Sequence, residues 1–201
     1  MYPTSHANTD SRGPNSANFA TAIKTYVDEL QKLATDERNQ IVERNRELDE
    51  GMFAATSDPR KPYVPPSKEA VPPFLNFAPL QNGLDALQRS TERYGAALRK
   101  AQPNGGAART SLASVNAKII QSERAMTLPD GLPNRPWFRH QIYAPGLYTG
   151  YGVKTIPGVR EAIEQKQWKQ AEEQMVRAGQ VLQSEAKVID EAAAALESAG
   201  K

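Results

Sequence analysis

Three tyrosines share one glycine-rich stretch: Tyr143, Tyr148 and Tyr151, with Lys154 close behind. Phenolic hydroxyls on rigid rings suit a polar ligand or a partner surface, because each ring offers apolar area and one hydrogen-bonding tip. A lysine adds a cation with three donors. Just upstream, "RPWFRH" carries Arg135, Arg139 and His140. Catalysis is a poor fit to this set. The only other histidine is His6, and a catalytic zinc site commonly needs three protein ligands with two or more His among them. The chain has no cysteine, which removes disulfides, thiolate metal sites and thiol nucleophiles. It has no HExxH, no GxSxG and no glycine-rich phosphate loop. The residues therefore predict no catalytic group and no metal ligand. His140, flanked by Phe138, Arg139 and Ile142, reads as a packed loop residue bonded to a backbone carbonyl. Two readings stay open for Trp137, Phe138 and Tyr143: a ligand surface, or a plug for one end of a helical core.

Helices must position this stretch. Phe19, Ile23, Tyr26, Leu30 and Leu33 recur at three-and-four spacing, which predicts a helix from about Ser16 to about Met52. Asn15 or Ser16 can cap it and Gly51 can stop it. Its second half, "DERNQIVERNRELDE", is a solvated face. Seven of the fifteen prolines fall between 51 and 79, a density that forbids helix and central strand. A second helix follows Pro79, with Leu80, Leu84, Leu87, Tyr94 and Leu98 on one side. After a turn at 102–108, a third helix is expected over 109–126. The tyrosine-bearing connection runs from 127 to 158. A short helix is expected over 159–165 and a long one over 167–199, with Trp168, Ala171, Met175, Ala178, Leu182, Ile189, Ala193 and Leu196 as its stripe. No segment alternates as a strand. The predicted fold is all-α: an antiparallel four-helix bundle with two long proline-rich loops.

Composition narrows the partners. Basic residues number 25 and acidic ones 23, interspersed, for a net charge of +2. That gives no basic face for nucleic acid. No run of 18 apolar residues exists to span a membrane. "MYPTSHANTDSRGPNSAN" lacks the apolar segment of a signal peptide, so residues 1–15 read as a flexible polar leader before a domain over 16–201. Long aromatic connections in a small domain point to function.

The stretch "LPDGLPNRPWFRHQIYAPGLYTGYGVKTIPGVREAI" resembles the transferrin receptor-like dimerisation domain, the C-terminal helical domain of the glutamate carboxypeptidase and prostate-specific membrane antigen family of zinc peptidases. The matching elements are Leu132-Pro133, Arg135 to His140, Tyr143-Ala144-Pro145 and Pro157-Gly158. "ANFATAIKTYVDELQKL" and "NFAPLQNGLDALQRSTERYGAAL" are similar to the family's first two helices. The resemblance implies a dimerisation and active-site-lid domain, non-catalytic alone, with two zinc ions in a separate peptidase domain of the same polypeptide and none here. It implies a homodimer, a loop that contacts the substrate's C-terminal residue, and an extracytoplasmic location. In glutamate-specific relatives that loop carries a Lys-Tyr pair. Ungapped alignment puts Gly150 at the lysine and Tyr151 at the tyrosine. Tyr151 keeps the carboxylate-binding chemistry, Gly150 cannot supply the cation, and Lys154 is near but unaligned. A stand-alone helical interaction module without a peptidase partner is the alternative.

Overall fold

The structure, a computed structural model, describes residues 16–53, 60, 64–101, 115, 117–150 and 152–199. The leader, His6, Asn15, the turn at 102–108, residues 109–114 and 116 of the expected third helix, and Tyr151 lie outside the described residues.

Helix α1 spans Ser16–Asp49. Its inner stripe buries Ala20, Ile23, Val27 and Leu30 completely or nearly so, the three-and-four spacing that brings one face to a core. Its outer face is held by ion pairs along the helix, such as Lys24–Asp28 and Lys32–Asp36, each at 2.5 Å. Gly51 follows the helix at φ +70°, the left-handed conformation that ends helices cheaply only at glycine.

Residues 64–77 form neither helix nor strand. They run back along α1. Lys68 meets Asp49, Glu69 exchanges two hydrogen bonds with the Asn45 side chain (2.8 and 3.1 Å), and the Arg38 guanidinium lies 4.0 Å over the Phe74 ring. Prolines cannot donate to a ladder, so this segment is fixed by side chains of the helix instead.

Helix α2 (Ala78–Ala101) starts where Asn76 Oδ1 accepts the Ala78 N–H at 3.0 Å, with Pro79 in its first turn. The chain then reaches α3 (Ser122–Ala125), strand β1 (Tyr143–Pro145), strand β2 (Val153–Thr155), α4 (Pro157–Glu164) and α5 (Trp168–Ala199). Helix α5 buries Ala171, Met175, Ala178, Leu182, Ile189, Ala193 and Leu196, while Trp168 packs at the edge, partly buried. Helices α1, α2, α4 and α5 share one hydrophobic core, to which Ile142 and Ile156 of the connection also belong.

Three expectations change. The antiparallel bundle is corrected first. Contacts between α2 and α5 advance together along both helices: Asn76 meets Glu172, Gly83 meets Gly179, and Arg93 meets Asp190 and Glu197. These two helices therefore run parallel. Residues 102–167 separate them, and a connection that long frees neighbours from the antiparallel order that short loops impose. Second, the third helix is broken. A turn at Ile120 and Gln121 precedes the single turn of α3. Third, the connection holds a β-hairpin. β1 and β2 pair antiparallel, Tyr143 with Thr155, Ala144 with Lys154 and Pro145 with Val153.

Candidate functional site

The hairpin stands on α4 and on a compact turn made by 128–140. That turn folds on itself through backbone bonds: Leu128 N–H to the Arg139 carbonyl (3.0 Å), Leu132 N–H to the Phe138 carbonyl (2.9 Å) and Gln141 N–H to the Met126 carbonyl (2.9 Å). Inside it, Arg135 is 2% exposed. Its guanidinium pairs with Glu161 of α4 at 2.7 Å and also donates to the Pro145 carbonyl. The same Glu161 oxygen accepts the Leu147 N–H at 2.9 Å. A buried charge requires a partner and hydrogen bonds, and both are present at this pair. Glu161 was not singled out by sequence. Its only local signal is a carboxylate on the inner side of a short amphipathic helix.

His140 is half-buried. Its Nδ1 accepts the backbone N–H groups of Ile142 and Tyr143, both at 3.3 Å. The bond thus runs opposite to the expected one, since imidazole accepts from amides rather than donating to a carbonyl. The ring stacks on Tyr143 with centroids 3.9 Å apart, and Nε2 sits 3.5 Å from a Glu123 carboxylate oxygen. Burial lowers the His140 pKa, and Glu123 opposes that shift. With Nδ1 occupied as an acceptor, the neutral ring carries its proton on Nε2. Tyr143 donates its hydroxyl to Glu123 at 3.2 Å, and its pKa is raised by burial and by that carboxylate. Below this pair, Glu185 of α5 is 1% exposed. It accepts from Ser122 while its Oε2 has no partner. Burial raises its pKa.

Strand alternation sorts the hairpin's side chains. Tyr143, Pro145 and Val153 point outward, and Val153 is 71% exposed. Ala144 and Lys154 lie on the inner face. Lys154 is paired there with Glu164 of α4 at 2.7 Å. The structure therefore brings Lys154 to α4 and not to the tyrosine face. Tyr148 lies at the tip, 82% exposed. The tip closes through Gly146 N–H to the Gly152 carbonyl at 2.9 Å. Trp137 is 71% exposed, so it does not plug the core; Phe138 is partly buried with Arg135 over its ring at 5.5 Å. Arg139 is exposed and contributes its carbonyl to the turn. Pro157 opens α4, and Gly158 packs where a Cβ would lie 2.5 Å from Gln174 Oε1. Beside the turn, Asp130, Asn134, Gln174 and Arg177 border a surface pocket of about 300 Å³.

Among the described residues, no helix is long and apolar enough to cross a membrane. None of their His, Asp or Glu side chains gathers in a group of three that could hold a metal ion.

Comparison with known proteins places these features. A probable glutamate carboxypeptidase of Arabidopsis thaliana is 48% identical over 50 residues, covering 25% of this chain and 7% of that protein. A probable glutamate carboxypeptidase of Arthroderma benhamiae is 41% identical over 59 residues, 29% of this chain and 8% of the relative. A Saccharomyces cerevisiae protein whose name proposes a zinc metalloprotease is 30% identical over 142 residues, 62% of this chain and 18% of the relative. The matched segments thus span less than a fifth of the length of these curated relatives. Residues 75–190 match the family described as transferrin receptor-like dimerisation domain. That span holds α2, the RPWFRH turn, the hairpin, α4 and most of α5, and the chain belongs to the transferrin receptor-like dimerisation domain family.

Proposed function

We propose that this chain is the dimerisation domain of a glutamate carboxypeptidase-like zinc peptidase, and that its hairpin is a lid over an active site carried by the peptidase domain of the same polypeptide. In this reading the zinc ions belong to the peptidase domain, and the chain alone is non-catalytic. One observation carries the lid reading. The hairpin turns an aromatic and apolar face away from the core, with Tyr148 82%, Val153 71% and Tyr143 44% exposed, on a base whose charges are paired. Side chains left exposed on a fixed base suit a surface completed by another domain. Tyr143, Tyr148 and Tyr151 are the proposed contacts to the substrate's C-terminal residue. Lys154 is the weakest of the proposed contacts, because Glu164 already holds it. The domain self-associates in this reading, and the polypeptide acts outside the cytoplasm, as its proposed family role implies.

The test uses a polypeptide that joins this domain to its peptidase domain. Tyr148→Ala and Tyr151→Phe raise KM for peptide substrates and leave sedimentation unchanged. Unchanged kinetics in both variants overturns the lid. For the dimer, sedimentation of the chain alone should show self-association, and a monomer at all concentrations removes that role while leaving the lid to the kinetic test.

A further inference from the structure

Two carboxylates one turn apart on α4 hold the two arms of the hairpin. Glu161 Oε1 accepts from Leu147 N–H at 2.9 Å, just past the end of β1, and from Arg135 at 2.7 Å. Arg135 also donates to the carbonyl of Pro145, the last residue of β1. Glu164 Oε1 accepts from Lys154 Nζ, in the middle of β2, at 2.7 Å. Residues three apart lie on one helix face, so both arms are tied to the same side of α4. The helix itself needs neither tie to stay seated, because Val159 and Ile163 are fully buried in the core.

We propose that Arg135 with Glu161, and Lys154 with Glu164, are positioning residues that set the direction of the loop tip, residues 147–150, before any ligand arrives. The inference rests on reading that loop as the ligand-contacting element. A buried ion pair adds little net stability, because desolvation offsets its Coulomb attraction. What it does supply is geometry: Arg135 can donate to Pro145 and to Glu161 at once only when the hairpin base meets α4 in one arrangement. A loop set in advance loses less conformational freedom on binding.

Amide hydrogen exchange of the chain, resolved by NMR, tests this. Replacing both buried charges by apolar residues, Arg135→Met with Glu161→Leu, leaves no unpaired charge behind. The Leu147 amide should then lose protection by about tenfold or more, with α2 and α5 amides unchanged. Reversing the outer pair singly, Lys154→Glu or Glu164→Lys, should loosen the tip, and the double swap should restore it. Tip protection that is unchanged in the apolar pair overturns the proposal. So does a loss of protection shared equally by α2 and α5, which would make the pair an element of global stability. If the tip depends on these residues while Tyr148→Ala and Tyr151→Phe both leave KM unchanged, the lid reading fails and the positioning role stands.

Discussion

A Cβ built on Gly83 of α2 would lie 2.6 Å from the carbonyl oxygen of Gly179 on α5, and one on Gly179 would lie 2.3 Å from the Pro79 carbonyl. The two parallel helices touch backbone to backbone at this crossing. Neither obstacle is a flexible side chain, so an added methyl must push the helices apart. Gly83→Ala and Gly179→Ala should each destabilise the fold by about 1–3 kcal/mol, the usual cost of overpacking, read as a lower urea midpoint. Gly95→Ala is the control. Its Cβ meets only the Arg99 side-chain end, at 3.5 Å, and the substitution should stabilise the fold by about 0.5–1 kcal/mol through helix propensity. Equal effects at the three positions would show that the crossing is not tightly packed.

His140 should make the fold acid-sensitive in a defined window. Its folded pKa is lowered by burial from 6.5, so the fold favours the neutral ring. A base with a depressed folded pKa contributes stability above the unfolded value and loses it as pH falls through that value toward the folded one. Protonation would also put an N–H on Nδ1, facing the two amides it now accepts from. The urea midpoint should therefore fall as pH drops below about 6.5, and His140→Gln should flatten that limb. A His140→Gln profile parallel to the parent would remove the assignment.

Glu185 should act with the opposite sign. Burial raises its pKa, Glu123 adds to the rise and Ser122 opposes it. An acid with a raised folded pKa contributes full stability below its unfolded value and loses it as pH climbs toward the folded value. Glu185→Gln can still accept from Ser122 and carries no charge at any pH. It should be more stable than the parent at pH 7.5, with the difference shrinking toward pH 4.5. A less stable variant at pH 7.5 would mean that the ionised carboxylate has a partner.

Trp137 and Trp168 should separate cleanly by quenching. In a Trp168→Phe variant the remaining Trp137, 71% exposed, should emit to the red and be open to iodide. In Trp137→Phe, the partly buried Trp168 should emit further to the blue and be shielded. A shielded Trp137 would mean that a second copy or another segment covers the RPWFRH turn.

The sequence by itself determined the long helices and the family. Spacing of apolar residues within α1, α2 and α5, Pro79 in a first turn and Gly51 after a last one act over a few residues, so local pattern reads them nearly to the residue. The RPWFRH, Tyr-Ala-Pro and Pro-Gly elements are likewise contiguous text. The hairpin escaped because each strand has three residues, too few to show alternation, and β1 ends in a proline. Tyr151, the residue aligned with a ligand-binding tyrosine, lies outside the described residues. Only the tertiary structure decided that α2 and α5 run parallel, that Arg135 finds Glu161 across 26 positions, and that Lys154 turns to Glu164 rather than to the tyrosines. Each of these depends on the path of the chain between the partners. Hydrogen bonds and charges select among neighbours that the core has already brought together, and no local window contains that choice.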